Sequence, residues 1–218
     1  EDVQQKLKNY FSNPQTSQNV FIHGPQGSGK TLATHLKLEQ ADNIDNRCYI
    51  PCKKYNTEYK VLKQICRCLS DKDIGDGYHS SDLQRQIVEK TRSTDTVLVL
   101  DDIEFLLLNN GDSLLYFLTR METENNLLVL ISSKESLERQ VEERTYSSLQ
   151  PTKTRLESYS SEEAYRILVE RAQKALRSQS LQQAALNHIA SRTHNITIGL
   201  YWLKTAAEAA DRMVTESD

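Results

Sequence analysis

The stretch VFIHGPQGSGKT, at positions 20–31, decides the fold. Its first three residues are apolar and typical of a buried strand. The glycine-rich segment that follows reads Gly24, Pro25, Gln26, Gly27, Ser28, Gly29, Lys30 and Thr31. The spacing G-x4-G-K-T between a strand pattern and a helix pattern is typical of a phosphate-binding loop. Glycines allow successive backbone amides to point at phosphate oxygens, and the start of the following helix adds a favourable dipole.

Lys30 and Thr31 supply the charged and hydroxyl groups of this loop. In such loops the lysine contacts the β- and γ-phosphates of a nucleoside triphosphate, and the hydroxyl binds Mg²⁺. A chance glycine turn is the alternative interpretation, and the flanking strand and helix patterns argue against it. We therefore predict that positions 24–31 bind a nucleoside triphosphate together with Mg²⁺.

Two adjacent carboxylates end a second apolar run, VLVL at positions 97–100. Because the carboxyl ends of parallel strands meet at one edge of a sheet, Asp101 is expected beside the phosphate loop, where it would hold Mg²⁺ directly or through water. Asp102 is the candidate general base that activates water for hydrolysis. It is one methylene shorter than the glutamate that many hydrolysing relatives carry there, and reach matters for a general base. The alternative is that Asp102 only caps the segment 103–108.

Strand patterns alternate with helical patterns through the first part of the chain. The predicted strands cover positions 20–22, 47–52, 96–100, 127–131 and 152–156. This alternation predicts an α/β fold with a parallel sheet and helices on both faces. After a capping signal at positions 160–163, only helical patterns follow. We predict an α/β domain at 1–158 and a small all-helical domain at 159–218.

Composition and charge exclude several classes of protein. The formal net charge is −3, so no overall positive field attracts nucleic acid, and any DNA contact needs a local basic patch. The sequence contains no run of about 18 apolar residues and no signal-peptide pattern at its start, so we predict no membrane span. The first residue is Glu1 and not Met, so we expect a fragment of a longer protein.

The four cysteines are Cys48, Cys52, Cys66 and Cys68. Their C-x3-C and C-x-C spacings differ from the C-x2-C pairs of common zinc sites, so free buried thiols are favoured over a metal site. No disulfide framework is expected, which suits a reducing, cytoplasmic setting.

Several blocks in a fixed order resemble the AAA+ ATPases of the archaeal origin-recognition and cell-division-control initiator family. They include the loop NVFIHGPQGSGKT, the strand and helix VLVLDDIEFLL, the segment LVLISSKESLERQVEERTYSSL and the helical segment SSEEAYRILVERAQKAL. The loop alone is common to many nucleotide-binding proteins, whereas the ordered set is much more specific. The resemblance covers nearly the whole chain and implies an AAA+ module with a helical lid that binds ATP or ADP with Mg²⁺.

The same resemblance implies partners. Members of the family recognise replication origins and help to load the replicative helicase, so origin DNA, the replicative helicase and other initiator subunits are expected. A winged-helix DNA-binding domain usually follows the lid and is expected beyond position 218.

The family's DNA-contacting insertion would fall near positions 70–90. That stretch is acidic at Asp71, Asp73, Asp76 and Asp82, and its basic residues are Lys72, Arg85 and Lys90, with Arg92 just after it. The acidic charge does not favour a DNA contact there. The stretch also holds a helical pattern at 83–91, which Ser81 or Asp82 is expected to cap.

Three features depart from the family pattern, and one of them is Asp102 in place of the usual glutamate. Ser133 stands where the family usually has the asparagine of sensor 1, and a hydroxyl can hydrogen-bond water or a terminal phosphate with a different reach and donor pattern. The lid turn at 194–199 reads HNITIG and lacks the arginine of sensor 2. Arg192 precedes this turn, but its neighbours do not match the motif. We therefore expect no direct contact from a lid arginine to the γ-phosphate, and His194 is a candidate to approach the nucleotide instead.

Arg144 precedes the segment TYSSL. The resemblance implies that this arginine could act as a finger, stabilising transition-state charge in the site of a neighbouring subunit. The alternative is a surface arginine paired with Glu142 or Glu143.

Three functional hypotheses remain open. The first is an initiator ATPase in which Asp102 activates water and Lys30 and Mg²⁺ stabilise the transferred charge. The second is a regulatory switch that binds ATP without hydrolysing it, because the sensor and base positions are altered. The third is a plasmid-maintenance or signalling ATPase with a related core.

Overall fold

The computed structural model describes residues 2–12, 18–70, 74–75, 77–121, 126–176, 183–193 and 195–215. The strands are β1 (Val20–His23), β2 (Asn46–Pro51), β3 (Thr96–Asp101), β4 (Asn126–Ser132) and β5 (Thr152–Arg155). The helices are α1 (Asp2–Ser12), α2 (Lys30–Glu39), α3 (Glu58–Ser70), α4 (Ser80–Thr91), α5 (Glu104–Leu107), α6 (Asp112–Arg120), α7 (Glu143–Leu149), α8 (Ser161–Ala175), α9 (Gln183–Arg192) and α10 (Ile196–Thr215).

The five strands of the described part form one parallel sheet in the order β2-β3-β4-β1-β5. β4 lies between β1 and β3, with His23 opposite Ser132 on one side and Leu100 opposite Leu130 on the other. Because the strands run in the same direction, β1, β3 and β4 end at the same edge of the sheet. The predicted α/β class with a parallel sheet is confirmed.

Sheet residues alternate between two buried clusters, as expected for strands that helices cover on both faces. One cluster joins Phe21, Ile50, Leu98, Leu100 and Leu130 to residues of α3, α4 and α6. The other joins Ile22, Val97, Val99, Val129 and Ile131 to Phe11 of α1 and Leu38 of α2. Burial of each side chain of this kind contributes roughly 1.5–3 kcal/mol to folding, so the helices on both faces stabilise the sheet.

The chain divides into two compact units. The first comprises Glu1–Gly24 and Lys30–Leu156, and the second comprises Pro25–Gly29 and Glu157–Asp218. Helices α8, α9 and α10 belong to the second unit, and they bury Ala164, Leu168, Leu186, Ala190 and Leu203 among themselves. The predicted helical C-terminal part is confirmed, while the domain limits 1–158 and 159–218 stay a prediction. None of the described helices combines the length and apolar character that a membrane crossing requires.

Two helix starts illustrate how local sequence sets the boundaries. Ser160 Oγ accepts a hydrogen bond from the backbone N–H of Glu163 at 3.2 Å, and the Glu163 carboxylate accepts one from the Ser160 N–H at 2.8 Å, which starts α8. The predicted start of α4 was wrong. That helix begins at Ser80, so Ser81 and Asp82 lie inside its first turn, and the Asp82 carboxylate accepts from the backbone N–H of His79.

The acidic positions Asp71, Asp73 and Asp76, together with Lys72, lie outside the described residues.

The cysteines correct another prediction. Cys48 on β2 and Cys68 on α3 form a disulfide, with their Cα atoms 5.8 Å apart across 20 positions of sequence. Cys52 and Cys66 are free and buried, as predicted for all four. Burial raises the pKa of the Cys66 thiol to about 11 and also raises the pKa of Cys52, so neither thiol ionises at neutral pH. The expectation that the chain holds no disulfide was therefore wrong, because α3 packs directly on β2.

Candidate functional site

The backbone of the glycine loop has left-handed conformations at Gly27 and Gly29, with φ of 80° and 83°. A Cβ atom added at Gly27 would overlap the side chain of Asn195, and one added at Gly29 would lie 2.6 Å from Tyr159 Oη. All four residues belong to the second compact unit. Both the positive φ and the close neighbours require glycine at these two positions.

Ser28 lies in the same loop and is only 5% exposed. Its Oγ makes no hydrogen bond to any other described residue. A buried polar atom without a partner is costly, so this hydroxyl is suited to a ligand oxygen. A buried hydroxyl of this kind in a glycine-rich loop fits a phosphate group.

Lys30 is a buried cation of the first unit. Its Nζ donates a hydrogen bond to the Gly24 carbonyl at 2.9 Å. Burial lowers the pKa of Lys30, while the negative charges of Asp101, Glu104 and Asp102 act in the opposite direction. The ammonium group therefore lies in the field of three carboxylates at and just after the end of β3.

The carboxylate of Asp101, at the end of β3, accepts three hydrogen bonds from described residues. Its Oδ2 accepts from Thr31 Oγ1 at 2.7 Å and from Tyr49 Oη at 2.5 Å, and its Oδ1 accepts from the Asp102 N–H at 2.9 Å. Thr31 and Asp101 were both predicted as Mg²⁺ ligands, and the structure brings their oxygens together. Carboxylate and hydroxyl oxygens are the ligands that Mg²⁺ prefers, so this pair fits such an ion.

Tyr49, on β2, was missed by the sequence analysis. Burial raises its pKa, and the hydrogen bond to Asp101 adds to the rise, so the hydroxyl stays protonated and acts as donor. Its ring packs on the imidazole of His35, with the ring centroids 4.0 Å apart. Nothing in the local pattern of β2 indicates this contact, because it depends on strand β2 lying next to β3.

Asp102 has a positive φ of 53°, and its side chain is half-buried. Burial raises its pKa, the charges of Asp101 and Glu104 add to the rise, and Lys53 and Lys30 oppose it. Its backbone carbonyl accepts from the N–H of Phe105 at 3.1 Å, but its carboxylate makes no hydrogen bond within the described residues. The carboxylate is thus not used as a helix cap.

Glu104, on α5, is the second residue that the sequence analysis missed. Its Oε1 accepts from Ser133 Oγ at 2.5 Å and from the Ser133 N–H at 3.3 Å, and its Oε2 accepts from Ser132 Oγ at 2.9 Å. Burial alone would raise the pKa of Glu104, but these hydrogen bonds outweigh it and hold the pKa below its ordinary value. The sequence signal that could have identified Glu104 is that it is a third acidic residue within three positions of Asp101. The predicted sensor Ser133 is therefore held by a carboxylate.

Arg144, on α7, lies apart from these groups. Its Nε pairs with Glu142 Oε2 at 2.7 Å, its guanidinium lies 5.2 Å from the centre of the Tyr116 ring, and its side chain is 62% exposed. No hydrogen bond or ion pair within the described residues joins it to the loop. It borders a groove of about 520 Å³ lined by Thr119, Arg120, Arg144, Ser147, Ser148 and Gln150.

The start of α10 is capped by a side chain. Asn195 Oδ1 accepts from the N–H groups of Thr197 and Ile198, at 3.0 and 3.3 Å, which starts α10. Arg192 is exposed in the last turn of α9, and His194 lies outside the described residues.

Comparisons with known proteins bear on this geometry. Residues 13–141 match the family model of the AAA domain. The chain is 30% identical over 215 residues to ORC1-type DNA replication protein 1 of Methanothermobacter thermautotrophicus, an alignment that covers 90% of this chain and 55% of that protein. The chain thus spans about half the length of this curated relative.

Solved structures share the fold. The Aeropyrum pernix ORC1 protein in complex with DNA superposes with a TM-score of 0.86 at 23% identity, over 96% of this chain and 59% of that one. The Aeropyrum pernix ORC2 protein, in ADPNP–ADP complexes, gives a TM-score of 0.76 at 19% identity, over 97% of this chain and 63% of that one. The resemblance to archaeal initiators that the ordered motifs indicated is confirmed by these matches.

Proposed function

The chain belongs to the family of AAA domains, and from this premise we propose that it is the ATP-binding module of a protein that initiates DNA replication. The observation that carries the proposal is the pairing of Thr31 Oγ1 with Asp101 Oδ2 at 2.7 Å, in the neighbourhood of the buried Lys30. Thr31 and Lys30 come from the glycine loop and Asp101 from another strand end, as a phosphate and Mg²⁺ site requires.

The chain's own groups would bind the nucleotide as follows. Backbone amides of positions 24–31 would donate to phosphate oxygens, together with the Ser28 hydroxyl, which has no partner among the described residues. Lys30 would exchange the Gly24 carbonyl for oxygens of the β- and γ-phosphates. Thr31 and Asp101 would hold Mg²⁺, which neutralises developing phosphate charge when it is bound.

For the reaction, we propose slow hydrolysis of ATP with Asp102 as the general base. Its carboxylate is half-buried, is not used in a hydrogen bond within the described residues, and follows the residue that would hold Mg²⁺. A general base needs a free carboxylate that reaches water, and Asp102 offers one.

The second candidate is a regulatory switch that binds ATP without turnover. It is favoured by the lid turn, where the described positions 193 and 195–199 carry no arginine and Asn195 caps α10 instead. A lid without that cation would contribute less charge to the transition state. A plasmid-maintenance or signalling ATPase is a weaker third candidate, because the Methanothermobacter thermautotrophicus relative is named a replication protein.

Origin DNA, the replicative helicase and other initiator subunits are the proposed partners. The Aeropyrum pernix ORC1 protein was solved in complex with DNA, which supports the first of these. Arg144 is exposed enough to reach a neighbouring subunit, which supports its proposed role as an arginine finger. In that role it would exchange its ion pair with Glu142 for a contact with the neighbour's nucleotide. DNA affinity of this chain alone should be weak and salt-sensitive, because its net charge is −3.

Single-turnover hydrolysis of γ-labelled ATP, with and without DNA, tests the proposal. We expect bound ATP to be converted to ADP and phosphate in the wild-type chain and to stay intact in Asp102→Asn, with ATP affinity preserved in that variant. Intact ATP in the wild-type chain would favour the switch. Absence of ATP binding would contradict both candidates.

A further inference from the structure

Glu104 organises the end of β4 through a closed network of hydrogen bonds. Its Oε2 accepts a hydrogen bond from the Ser132 hydroxyl, and its Oε1 accepts hydrogen bonds from the Ser133 hydroxyl and the Ser133 N–H. Ser132 Oγ in turn accepts from the N–H of Lys134 at 2.9 Å. One carboxylate thus determines the conformation of three consecutive residues.

This turn lies at a central position in the sheet. β4 lies between β1, which leads into the glycine loop, and β3, which ends at Asp101. His23 pairs with Ser132 in the register of β1 and β4. Ser133 therefore follows directly on the strand between the two strand ends that carry the proposed phosphate and Mg²⁺ groups.

The direction of the hydrogen bond between Ser133 and Glu104 follows from its partners. A serine hydroxyl carries one proton and two lone pairs, and an ionised carboxylate only accepts. The lowered pKa of Glu104 keeps it ionised at neutral pH, so Ser133 Oγ is the donor. With its proton used in this way, Ser133 can still accept a hydrogen bond but cannot donate one to a phosphate. The asparagine that the family usually carries can donate.

We propose that Glu104 is a positioning residue that accepts the hydrogen bond of the Ser133 hydroxyl. Ser133 Oγ is then left to act as an acceptor, and it orients the attacking water by accepting a hydrogen bond from that water. The inference rests on the proposed hydrolytic function. In that reaction the water oxygen bonds to the γ-phosphorus, and the bond from that phosphorus to the bridging oxygen breaks with its electron pair passing to ADP. One water proton passes to Asp102, and the other, directed at Ser133 Oγ, stays on the phosphate that forms.

A double-mutant cycle between Glu104→Ala and Ser133→Ala tests the inference. Because misplacement of about 1 Å can reduce a rate about 100-fold, we expect each single variant to lower the single-turnover rate about 10- to 100-fold. The double variant should lose no more than either single variant, since both act through one hydroxyl. Ser133→Thr, which keeps the hydroxyl, should stay close to the wild-type rate. ATP affinity should be unchanged in all variants, which separates positioning from binding.

The pair Glu58 and Ser113 provides a matched control. Ser113 Oγ donates to Glu58 Oε2 at 2.7 Å, which is the same chemistry in the same unit. Glu58→Ala and Ser113→Ala should leave the rate unchanged. Amide hydrogen exchange supplies a readout that does not depend on turnover, because Glu104→Ala should speed exchange at Ser133 and Lys134 in the chain without nucleotide.

Several outcomes would overturn the inference. Additive rate losses would show that Glu104 and Ser133 act separately, and unchanged exchange at Lys134 would show that Glu104 does not organise the turn. Intact ATP binding without any hydrolysis in the wild-type chain would remove the step that the pair serves. Failure of the wild-type chain to bind ATP is a different result, because it contradicts the proposed function itself.

Discussion

The substitution Tyr49→Phe removes a single oxygen atom from the group that supports Asp101. That oxygen donates to Asp101 Oδ2 at 2.5 Å. The phenyl ring can keep its contact with His35, and Asp101 keeps its hydrogen bonds from Thr31 and from the Asp102 N–H. The change therefore isolates one hydrogen bond to a proposed Mg²⁺ ligand.

The expected effect of losing this bond can be worked out from its geometry. A hydrogen bond to a charged group contributes about 1.5–3 kcal/mol, and about 1.4 kcal/mol corresponds to a tenfold change in a binding constant. Loss of a group that orients a metal ligand typically lowers metal affinity about 10- to 100-fold. We therefore expect the Mg²⁺ concentration for half-maximal ATP binding to rise about 10- to 100-fold in Tyr49→Phe. ATP affinity at saturating Mg²⁺ should change little.

Titration of Mg²⁺ at a fixed concentration of a fluorescent ATP analogue measures this shift. Tyr59→Phe is the matched control, because Tyr59 is a half-buried tyrosine of α3 whose hydroxyl makes no hydrogen bond within the described residues. Equal Mg²⁺ dependence in wild type and Tyr49→Phe would refute the reasoning. An equal shift in Tyr59→Phe would refute it as well, because the effect would then reflect general loosening of the core.

Three further predictions concern stability. The disulfide of Cys48 with Cys68 spans 20 positions, so Cys68→Ser should lower the free energy of unfolding by about 3 kcal/mol in denaturant titrations without reductant. No loss there would contradict the cross-link. Ser160→Ala removes the cap of α8 and should cost about 1 kcal/mol, seen as faster amide exchange at Glu163, and unchanged exchange would count against it. Because the pKa of Glu104 is lowered in the fold, its carboxylate stabilises the protein above its unfolded pKa of about 4.3, and this contribution is lost as pH falls through the lower folded value. The difference in unfolding free energy between wild type and Glu104→Gln should therefore shrink on acidification below about pH 4, and a constant difference would contradict this.

The sheet and the loop could be predicted because their signals are local. Continuous apolar runs such as positions 96–100 and 127–131 predict buried parallel strands, and all five predicted strands are present. Glycines of the loop have the positive φ angles that its motif requires. The contact between Thr31 and Asp101 could be predicted because the carboxyl ends of parallel strands lie at one edge of the sheet.

The supporting residues could not be predicted because they depend on tertiary packing. Tyr49 reaches Asp101 across neighbouring strands, 52 positions apart in sequence. Cys48 and Cys68 meet only because α3 packs on β2. Glu104 lies close to Asp101 in sequence, but its partner Ser133 is 29 positions away, just after another strand. The spacing of these residues along the chain does not predict such contacts.

Equilibrium binding of ATP with Mg²⁺ tests the central claim most directly. Titration calorimetry should show one site per chain that depends on Mg²⁺ and that weakens about 10- to 100-fold in Lys30→Ala, since a charged hydrogen-bonding group is lost. Lys37→Ala, on the same helix α2 but bonded to Gln40, should bind as wild type does. Absence of binding by the wild-type chain, or equal affinity in Lys30→Ala, would contradict the assignment of Gly24–Thr31 as the phosphate-binding loop.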